Sequence, residues 1–160
     1  MTETKFRQDS LSFHPLTKDR WKDIEKLFSK NRSSDECWCM WWKLNKKQFT
    51  IQKGEENKKA FRKTLKNTVP GIIAYYNDTP AGWCAIEPRE NFPTLEASKL
   101  LKRLDNKPVW SIVCFFVAKE FRKNNISFEL IKASVEYAKP DWVEFDPPVD
   151  VIEPLSVAEV

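Results

Sequence analysis

The sequence predicts an α/β fold in a single domain spanning residues 1–160. One observation is the run Trp110–Val117, in which both alternating sets of side chains are apolar, as in a strand buried on both faces. A second is a pair of strand-like runs, 71–76 and 81–86, on either side of a turn sequence. The third is composition: with 41% hydrophobic residues, a chain of 160 residues can bury about two thirds of its unfolded surface around one core.

The first predicted elements are a short strand and a helix. Leu11–Leu16 alternates in polarity and contains a proline near its end, which indicates a short strand. Thr17 is a suitable N-cap for the helix that follows, and Leu16 and Trp21 then occupy the two positions of a hydrophobic staple. We expect this helix to end near Lys30–Asn31. Its predicted buried stripe consists of Trp21, Ile24, Leu27 and Phe28.

A second helix and a hairpin occupy the middle of the chain. Lys53–Asn67 is rich in helix formers, with Phe61 and Leu65 on one side and lysines elsewhere, so its basic face is expected to meet solvent. The runs 71–76 and 81–86 flank Asn77-Asp78-Thr79-Pro80, which has the composition of a β-hairpin turn.

The second half of the chain alternates between helices and strands. A short helix capped by Thr94 is predicted from the spacing of Ala97, Leu100, Leu101 and Leu104. The central strand Trp110–Val117 follows, then a helix whose core stripe is predicted to be Phe128, Ile131, Val135 and Ala138. Trp142–Asp146 alternates as a last strand, which the prolines at 147 and 148 end.

The segment Cys37–Trp42 contains three tryptophans in six residues. Large aromatic side chains mostly supply buried area, so a core segment is one interpretation. The other is an aromatic wall formed by Trp38, Trp41 and Trp42 for an acceptor substrate, including one whose cationic amine lies over a tryptophan face. Because Cys37 and Cys39 would share a face of an extended segment, a redox or acyl-carrying thiol is a further hypothesis.

Cysteine and histidine counts argue against a metal site. The chain has four cysteines and one histidine, His14, without the second close ligand pair that a zinc site requires. We therefore expect reduced thiols and no metal. No apolar run approaches the roughly 20 residues of a membrane span, and Met1–Lys5 lacks a signal-peptide profile, so a cytoplasmic protein is expected.

Charge is distributed unevenly along the chain, although the net charge is only +4. Residues 43–66 carry nine Lys or Arg against two Glu, whereas residues 141–160 carry six acids and no base. Such a basic run can bind an anion or nucleic acid, but solvated helix faces explain it more often. No recognised nucleic-acid motif accompanies it, so nucleic acid is not the expected partner.

Between the central strand and its helix lies the segment Arg122–Ser127. Backbone N–H groups at a helix start, flanked by the cations of Arg122 and Lys123, can hold a phosphate, although both cations can equally be solvated loop charges. Following a strand and opening a helix, this segment resembles the acetyl-CoA pyrophosphate loop of the GNAT superfamily of N-acetyltransferases, whose pattern is Arg/Gln-x-x-Gly-x-Gly/Ala. Arg122 fits the pattern. Asn125 and Ser127 replace its two small residues, and Asn tolerates a left-handed backbone.

The resemblance covers residues 10–150, and we expect the fold that it implies. That fold is a mostly antiparallel, mixed sheet with helices on both faces. A full domain of this family has a further helix and closing strands after the segment at 142–146, which the acidic tail 151–160 is too short to supply. An exposed sheet edge would result, shielded by a second copy of the chain or by the tail.

The resemblance also implies acyl transfer from acetyl-CoA to the primary amine of a small molecule or peptide. The residues expected to bind the cofactor are Phe116, Val117, Arg122, Lys123, Asn124, Asn125, Ile126 and Ser127. Glu87, at the end of a hairpin strand, is the candidate general base, and an ordinary surface carboxylate is the alternative. Two other functions remain open: a catalytically inactive GNAT-like binding or regulatory module, and a basic binder of anions or nucleic acid.

Overall fold

The computed structural model of the chain describes residues 10–30 and 32–139. The described part forms four strands and six helices around one sheet. The strands are β1 (Leu11–Pro15), β2 (Gly71–Tyr76), β3 (Thr79–Pro88) and β4 (Trp110–Val117). The helices are α1 (Trp21–Ser29), α2 (Arg32–Cys37), α3 (Lys46–Ile51), α4 (Glu55–Thr64), α5 (Pro93–Glu96) and α6 (Ile126–Ala138). None of these helices is long and apolar enough to cross a membrane.

The sheet has the order β1-β2-β3-β4, and every pairing in the described part is antiparallel. The predicted hairpin is confirmed, with a shorter turn than expected: only Asn77 and Asp78 form it, and Thr79 and Pro80 belong to β3. Both turn residues have positive φ, 44° and 59°, as a two-residue turn between twisted strands requires. The predicted helices on both faces of the sheet are also confirmed, because α1, α2 and α4 contact one face and α6 the other.

The face under α1, α2 and α4 is an aromatic core. Phe28, Trp38, Phe61 and Trp83 are each at most 1% exposed, and the centroids of their rings lie 5.2–6.3 Å apart. The stripe predicted for α1 is buried as expected. The helix itself is preceded by a 3₁₀ turn, Lys18–Arg20, and the Thr17 hydroxyl donates to Asp19 rather than capping the helix backbone.

On the opposite face, α6 packs through a stripe that shares only Ala138 with the predicted one. The buried residues recur every four positions: Ile126, Leu130, Ser134 and Ala138. Phe128 and Ile131, which were predicted to be core residues, are 53% and 44% exposed. The close contact with β3 explains the choice: a Cβ on Gly82 would lie 3.3 Å from Leu130, so only small residues fit where the helix meets this strand.

Strand β4 has the predicted bounds, but the described residues do not cover both of its faces. Within residues 10–30 and 32–139 it pairs with β3 alone and forms an edge of the sheet. Ile112 and Phe115 are accordingly 43% and 37% exposed. The strand predicted at 142–146 lies outside the described residues, as does the acidic tail.

The helix predicted from the spacing of Ala97, Leu100, Leu101 and Leu104 does not form. Helix α5 is a single turn, and Leu100 and Leu104 are 96% and 104% exposed. Arg89 donates hydrogen bonds to the carbonyls of Leu95 and Leu101, which an extended helix would use internally. The Thr94 hydroxyl donates to the Leu44 carbonyl at 2.6 Å, so Thr94 fixes the loop to the segment before α3 instead of capping a helix.

Candidate functional site

A groove lies where β4 ends and α6 begins, and it contains most of the residues expected to bind the cofactor. Its volume is about 580 Å³, within the usual range of small-molecule sites. Its lining consists of Phe115, Val117, Phe121, Arg122, Lys123, Asn125, Ile126 and Ser127. Residues that the sequence analysis selected from their positions in the chain therefore line one groove in the fold. We call this the loop groove.

The backbone of the loop turns through two left-handed residues. Asn125 has φ of 60° and ψ of 9°, and Lys123 has φ of 65°. A left-handed conformation is the one that glycine adopts most easily and asparagine next, so Asn125 meets the backbone requirement of the glycine that it replaces. The Asn124 side chain bonds the carbonyls of Phe121 and Arg122, both at 3.1 Å, and fixes the turn from within.

The start of α6 presents backbone donors to the loop groove. The first N–H groups of a helix have no intrahelical acceptor, and Asn125, at the N-cap, makes no side-chain hydrogen bond to them. Arg122 and Lys123 are exposed beside this positive helix end. The Arg122 Nε donates to the Val117 carbonyl at 3.1 Å, which holds the guanidinium close to the end of β4. Together these groups can bind a phosphate or pyrophosphate.

Two of the expected cofactor residues have buried side chains. Phe116 is 9% exposed and packs in the aromatic core, and Ile126 is 2% exposed against the opposite face of β3. On the solvent side, Phe121 forms part of the groove lining, and its ring also contacts Tyr76 at 5.8 Å. Phe121 was not singled out from sequence, since an isolated aromatic in a polar loop has no periodicity to signal its role.

Glu87 is neither exposed nor alone. Its side chain is 1% exposed, and the Lys43 ammonium lies 2.5 Å from its Oε1 atom. Asn91 donates to the Oε2 atom at 2.9 Å, and the same Lys43 ammonium lies 4.9 Å from the centroid of the Phe92 ring. The alternative that Glu87 is an ordinary surface carboxylate is therefore wrong. The sequence could not reveal Lys43 as its partner, because 44 positions separate the two residues.

The three tryptophans of Cys37–Trp42 have different environments. Trp38 is 1% exposed and stacks on Trp21 at 5.6 Å, so it belongs to the core and offers no free face to a substrate. Trp41 is 46% exposed and meets Phe49 edge to face at 5.0 Å. Trp42 donates from its indole nitrogen to the Val113 carbonyl at 3.2 Å. Val113 is the extra residue of a β-bulge in β4, opposite Ala85 and Ile86.

The cysteines of this region are not on one face of an extended segment. Cys37 ends α2, and Trp38 and Cys39 turn the chain with φ of 46° and 54°. Cys39 is buried, and its sulfur accepts from the Trp83 indole at 3.2 Å. A hydrogen bond with Cys114 raises the pKa of Cys39, whereas the same contact lowers the pKa of Cys114. In the described part of the chain, all four cysteines are free thiols and no group of three or more potential ligands could hold a metal ion.

Comparison with solved structures finds the same fold in acetyltransferases. An aminoglycoside acetyltransferase from an uncultured soil metagenomic sample, in complex with trehalose, is 14% identical, with a TM-score of 0.51 over 88% of this chain and 80% of that one. An aminoglycoside N-acetyltransferase in complex with CoA is 12% identical, with a TM-score of 0.54 over 86% of this chain and 78% of that one. At these identities the likeness concerns the fold alone.

Comparison with curated proteins finds no match. The sequence does match the acetyltransferase (GNAT) family over residues 21–147, a range that runs from the start of α1 past the end of α6. This range contains β2, β3, β4 and the loop groove, and it amounts to most of the chain. The protein therefore belongs to the GNAT acetyltransferase family.

Proposed function

We propose that the protein is an acyl-CoA-dependent N-acyltransferase that moves an acetyl group to a primary amine. The observation that carries the proposal is the loop groove, in which a left-handed Asn125, an uncapped helix start and the Arg122 cation meet at the end of β4. This arrangement suits a pyrophosphate. Membership of an acetyltransferase family supports a pyrophosphate that belongs to acetyl-CoA.

In the proposed complex, each part of the groove has one role. The N–H groups at the start of α6 and the cations of Arg122 and Lys123 hold the pyrophosphate. The backbone of Val117, whose N–H and carbonyl face the outer edge of β4, bonds an amide of the pantetheine arm as a neighbouring strand would, while the backbone of Phe116 pairs with Trp83 of β3. Asn124 acts indirectly by holding the loop in its turn.

The reaction is direct attack by a neutral amine on the thioester carbonyl. The C–N bond forms and the C–S bond breaks. The nitrogen loses one proton, the thiolate gains one, and CoA leaves as a thiol. Holding the two reactants in position supplies much of the acceleration. We place the acceptor near Trp41, because this tryptophan of the Cys37–Trp42 segment has an exposed ring.

Glu87 remains the proposed proton acceptor for an ammonium substrate. Its contact with Lys43 indicates the alternative role, which is structural. Glu87 pairs with Ser111 across the sheet, six residues before Val117 in β4, which corresponds to about 20 Å along the strand. It is therefore too distant to touch a pyrophosphate in the loop groove. In the alternative, Glu87 only neutralises the buried Lys43. A change in the pH profile of acetyl transfer in Glu87→Gln supports the base; an unchanged profile supports the alternative.

The proposal is tested by calorimetry with acetyl-CoA. We expect measurable but weak binding, because Asn125 and Ser127 place side-chain atoms in the groove. Arg122→Ala should weaken binding by about 1–2 kcal/mol, the scale of a charge-assisted contact. Asn125→Gly should tighten it, since glycine keeps the left-handed backbone and removes the side chain. Lys46→Ala, which removes an exposed cation on α3, is the matched control and should change nothing.

Absence of any binding heat at millimolar acetyl-CoA, in both the wild type and Asn125→Gly, would overturn the proposal. The second candidate function is a catalytically inactive binding module, which the side chain of Asn125 in the groove favours. That module would bind acetyl-CoA without releasing free CoA when a panel of primary amines is added. Amine-dependent release of the thiol excludes it.

A further inference from the structure

A second groove lies between the start of α1 and the end of α4, away from the loop groove. Its volume is about 470 Å³, and its lining consists of Lys18, Trp21, Lys59, Arg62, Lys63, Leu65 and Lys66. Five of these seven side chains are cations and none is an acid. We call this the basic groove. It shares no residue with the loop groove.

Within residues 10–30 and 32–139, few acids neutralise the cations of the basic groove. Lys59 pairs with Glu56 at 2.9 Å, and both side chains are more than 60% exposed, so the pair is weak. Arg62 also interacts electrostatically with the carboxylate of Glu25, which forms an ion pair with Lys58 at 2.9 Å. Among the described residues, no acid lies within ion-pair distance of the other lining lysines, which are Lys18, Lys63 and Lys66.

The dipole of α4 explains only part of this charge. Cations in the last turn of a helix are favourable, and Arg62 and Lys63 occupy that turn. Lys59, however, lies three and four residues before them, and like charges at these spacings repel each other. Lys18 comes from the turn before α1, so its presence in the same groove is produced by the tertiary fold and not by the helix.

The floor of the groove fixes one cation in place. The Arg62 guanidinium lies over the Trp21 ring, 5.4 Å from its centroid, and Trp21 is itself 5% exposed. Stacking on an aromatic ring orders a guanidinium while leaving its N–H donors free for an anion. Because Arg62 covers the ring, Trp21 offers no open face for stacking a nucleic-acid base, which is the usual platform of single-strand binders.

We propose that the basic groove is a second ligand site, which binds a small polyphosphate anion. A concave surface lined by one sign of charge concentrates its field and attracts the opposite ion. Several phosphate groups in one compact molecule match five cations around a cavity of small-molecule size, whereas an extended nucleic acid would not be confined to it. The same charge repels a cationic amine, so this groove is separate from the acceptor site of acyl transfer.

The test uses inorganic triphosphate and the full chain at physiological ionic strength. Calorimetry should show saturable binding, which Lys63→Gln/Lys66→Gln weakens about tenfold or more. The matched control, Lys46→Gln/Lys47→Gln, removes two exposed lysines of α3 outside the groove and should leave the affinity nearly unchanged. Lys18→Gln, on a separate element, should also weaken triphosphate binding. If the double variant fails to fold, this single variant tests the basic groove in its place.

A site-specific readout comes from the Trp21 indole. Its ¹H–¹⁵N resonance, assigned with Trp21→Phe, should shift on addition of triphosphate as Arg62 adjusts over the ring. ATP and a short single-stranded DNA are the other probes. Binding of ATP that triphosphate competes away supports the proposal. The proposal would be overturned if the protein did not bind triphosphate, or if the two double lysine variants lost affinity for it equally. DNA binding that triphosphate cannot displace would also overturn it.

Acetyl-CoA also carries phosphates, so the two sites must be separated by crossed variants. Arg122→Ala should weaken acetyl-CoA binding and leave triphosphate binding intact; Lys63→Gln/Lys66→Gln should do the reverse. If the lysine pair abolishes acetyl-CoA binding while Arg122→Ala does not, the loop groove is not the acyl-CoA site. That outcome overturns the proposed function and leaves the basic groove as an anion site.

Discussion

At the Val117 end of β4, charge is exposed and open to a ligand, whereas near its Trp110 end charge is buried and internally paired. The first end leads into the loop groove, where Arg122 and Lys123 flank a helix start that the Asn125 side chain does not cap. Near the second end, Glu87 and Lys43 are 1% and 11% exposed and contact each other. An anion that binds at the first end can therefore interact with cations that are still exposed. At the second end the two opposite charges already interact with each other and stabilise the fold.

The largest expected effect concerns the paired end. Glu87→Ala leaves the Lys43 ammonium buried without its partner, which should lower the free energy of unfolding by about 3–5 kcal/mol. The double variant Lys43→Met/Glu87→Leu should be far less destabilised, because it removes both charges. Urea denaturation measures each change. Equal losses in the single and double variants would show that the pair does not form in solution.

The next effect concerns the loop. Asn125→Ala should destabilise the protein by about 1–2 kcal/mol and weaken acetyl-CoA binding, because alanine disfavours the left-handed backbone that this position adopts. Asn125→Gly is the matched variant and should keep stability, since glycine adopts this conformation freely. Thermal unfolding of the two variants provides the comparison. Indistinguishable melting temperatures would contradict a left-handed residue 125.

A smaller effect tests the bulge between the two ends of β4. Trp42→Phe removes the hydrogen bond from the indole to the Val113 carbonyl and should cost about 0.5–1.5 kcal/mol. Trp41→Phe is the control, because its ring is 46% exposed and its described ring contact, with Phe49, survives in phenylalanine. Chemical denaturation should rank Trp42→Phe below Trp41→Phe in stability. The reverse order would argue against the bond to the strand.

The smallest effect is a pH dependence at the open end. The hydrogen bond from Lys30 lowers the pKa of Glu120 below its ordinary value of 4.5, and this pair joins the end of α1 to the loop after β4. A carboxyl whose pKa is lowered by folding stabilises the protein above its unfolded pKa and loses that contribution as pH falls through its folded pKa. Both side chains are about one third exposed or more, so solvent screening limits the effect to less than about 1 kcal/mol.

Denaturation of the wild type and Glu120→Gln at a series of pH values measures this contribution. The two proteins should differ above pH 4.5 and converge as the pH falls below it. A constant difference throughout this range would mean that the pair contributes nothing that titrates. Lys132→Gln, which breaks an exposed pair within α6, is a control for general charge effects on the loop.

Several elements could be predicted from sequence because they depend on neighbours in the chain. The stripe of α1, the hairpin at Asn77-Asp78 and the bounds of β4 follow from periodicity and turn chemistry. The loop after β4 was predicted in the same way, since its cations and the helix start lie within six residues. The left-handed backbone of Asn125 agrees with the tolerance of asparagine for that conformation, whereas the left-handed Lys123 in the same loop was not predicted.

Other features required the tertiary structure. Periodicity identifies which residues share a face of a helix, but not which of two apolar stripes meets the sheet; in α6 the close approach of Gly82 selects the stripe containing Leu130. The leucines at 100, 101 and 104 have helical spacing, but this segment is not helical. Arg89 instead donates hydrogen bonds to backbone carbonyls of the loop.

The sequence by itself thus determined the α1 stripe, the hairpin, the bounds of β4 and the position of the loop after it. It also indicated the resemblance to the acetyltransferase family that the family match over residues 21–147 bears out. Only the tertiary structure decided which charges meet. It placed Lys43 against Glu87 inside the protein and brought Lys18 to the lysines of α4 across more than 40 residues of chain. The reason is physical: a residue's pattern of hydrophobicity is a local property, whereas the partner of a charge depends on how distant segments pack around a common core.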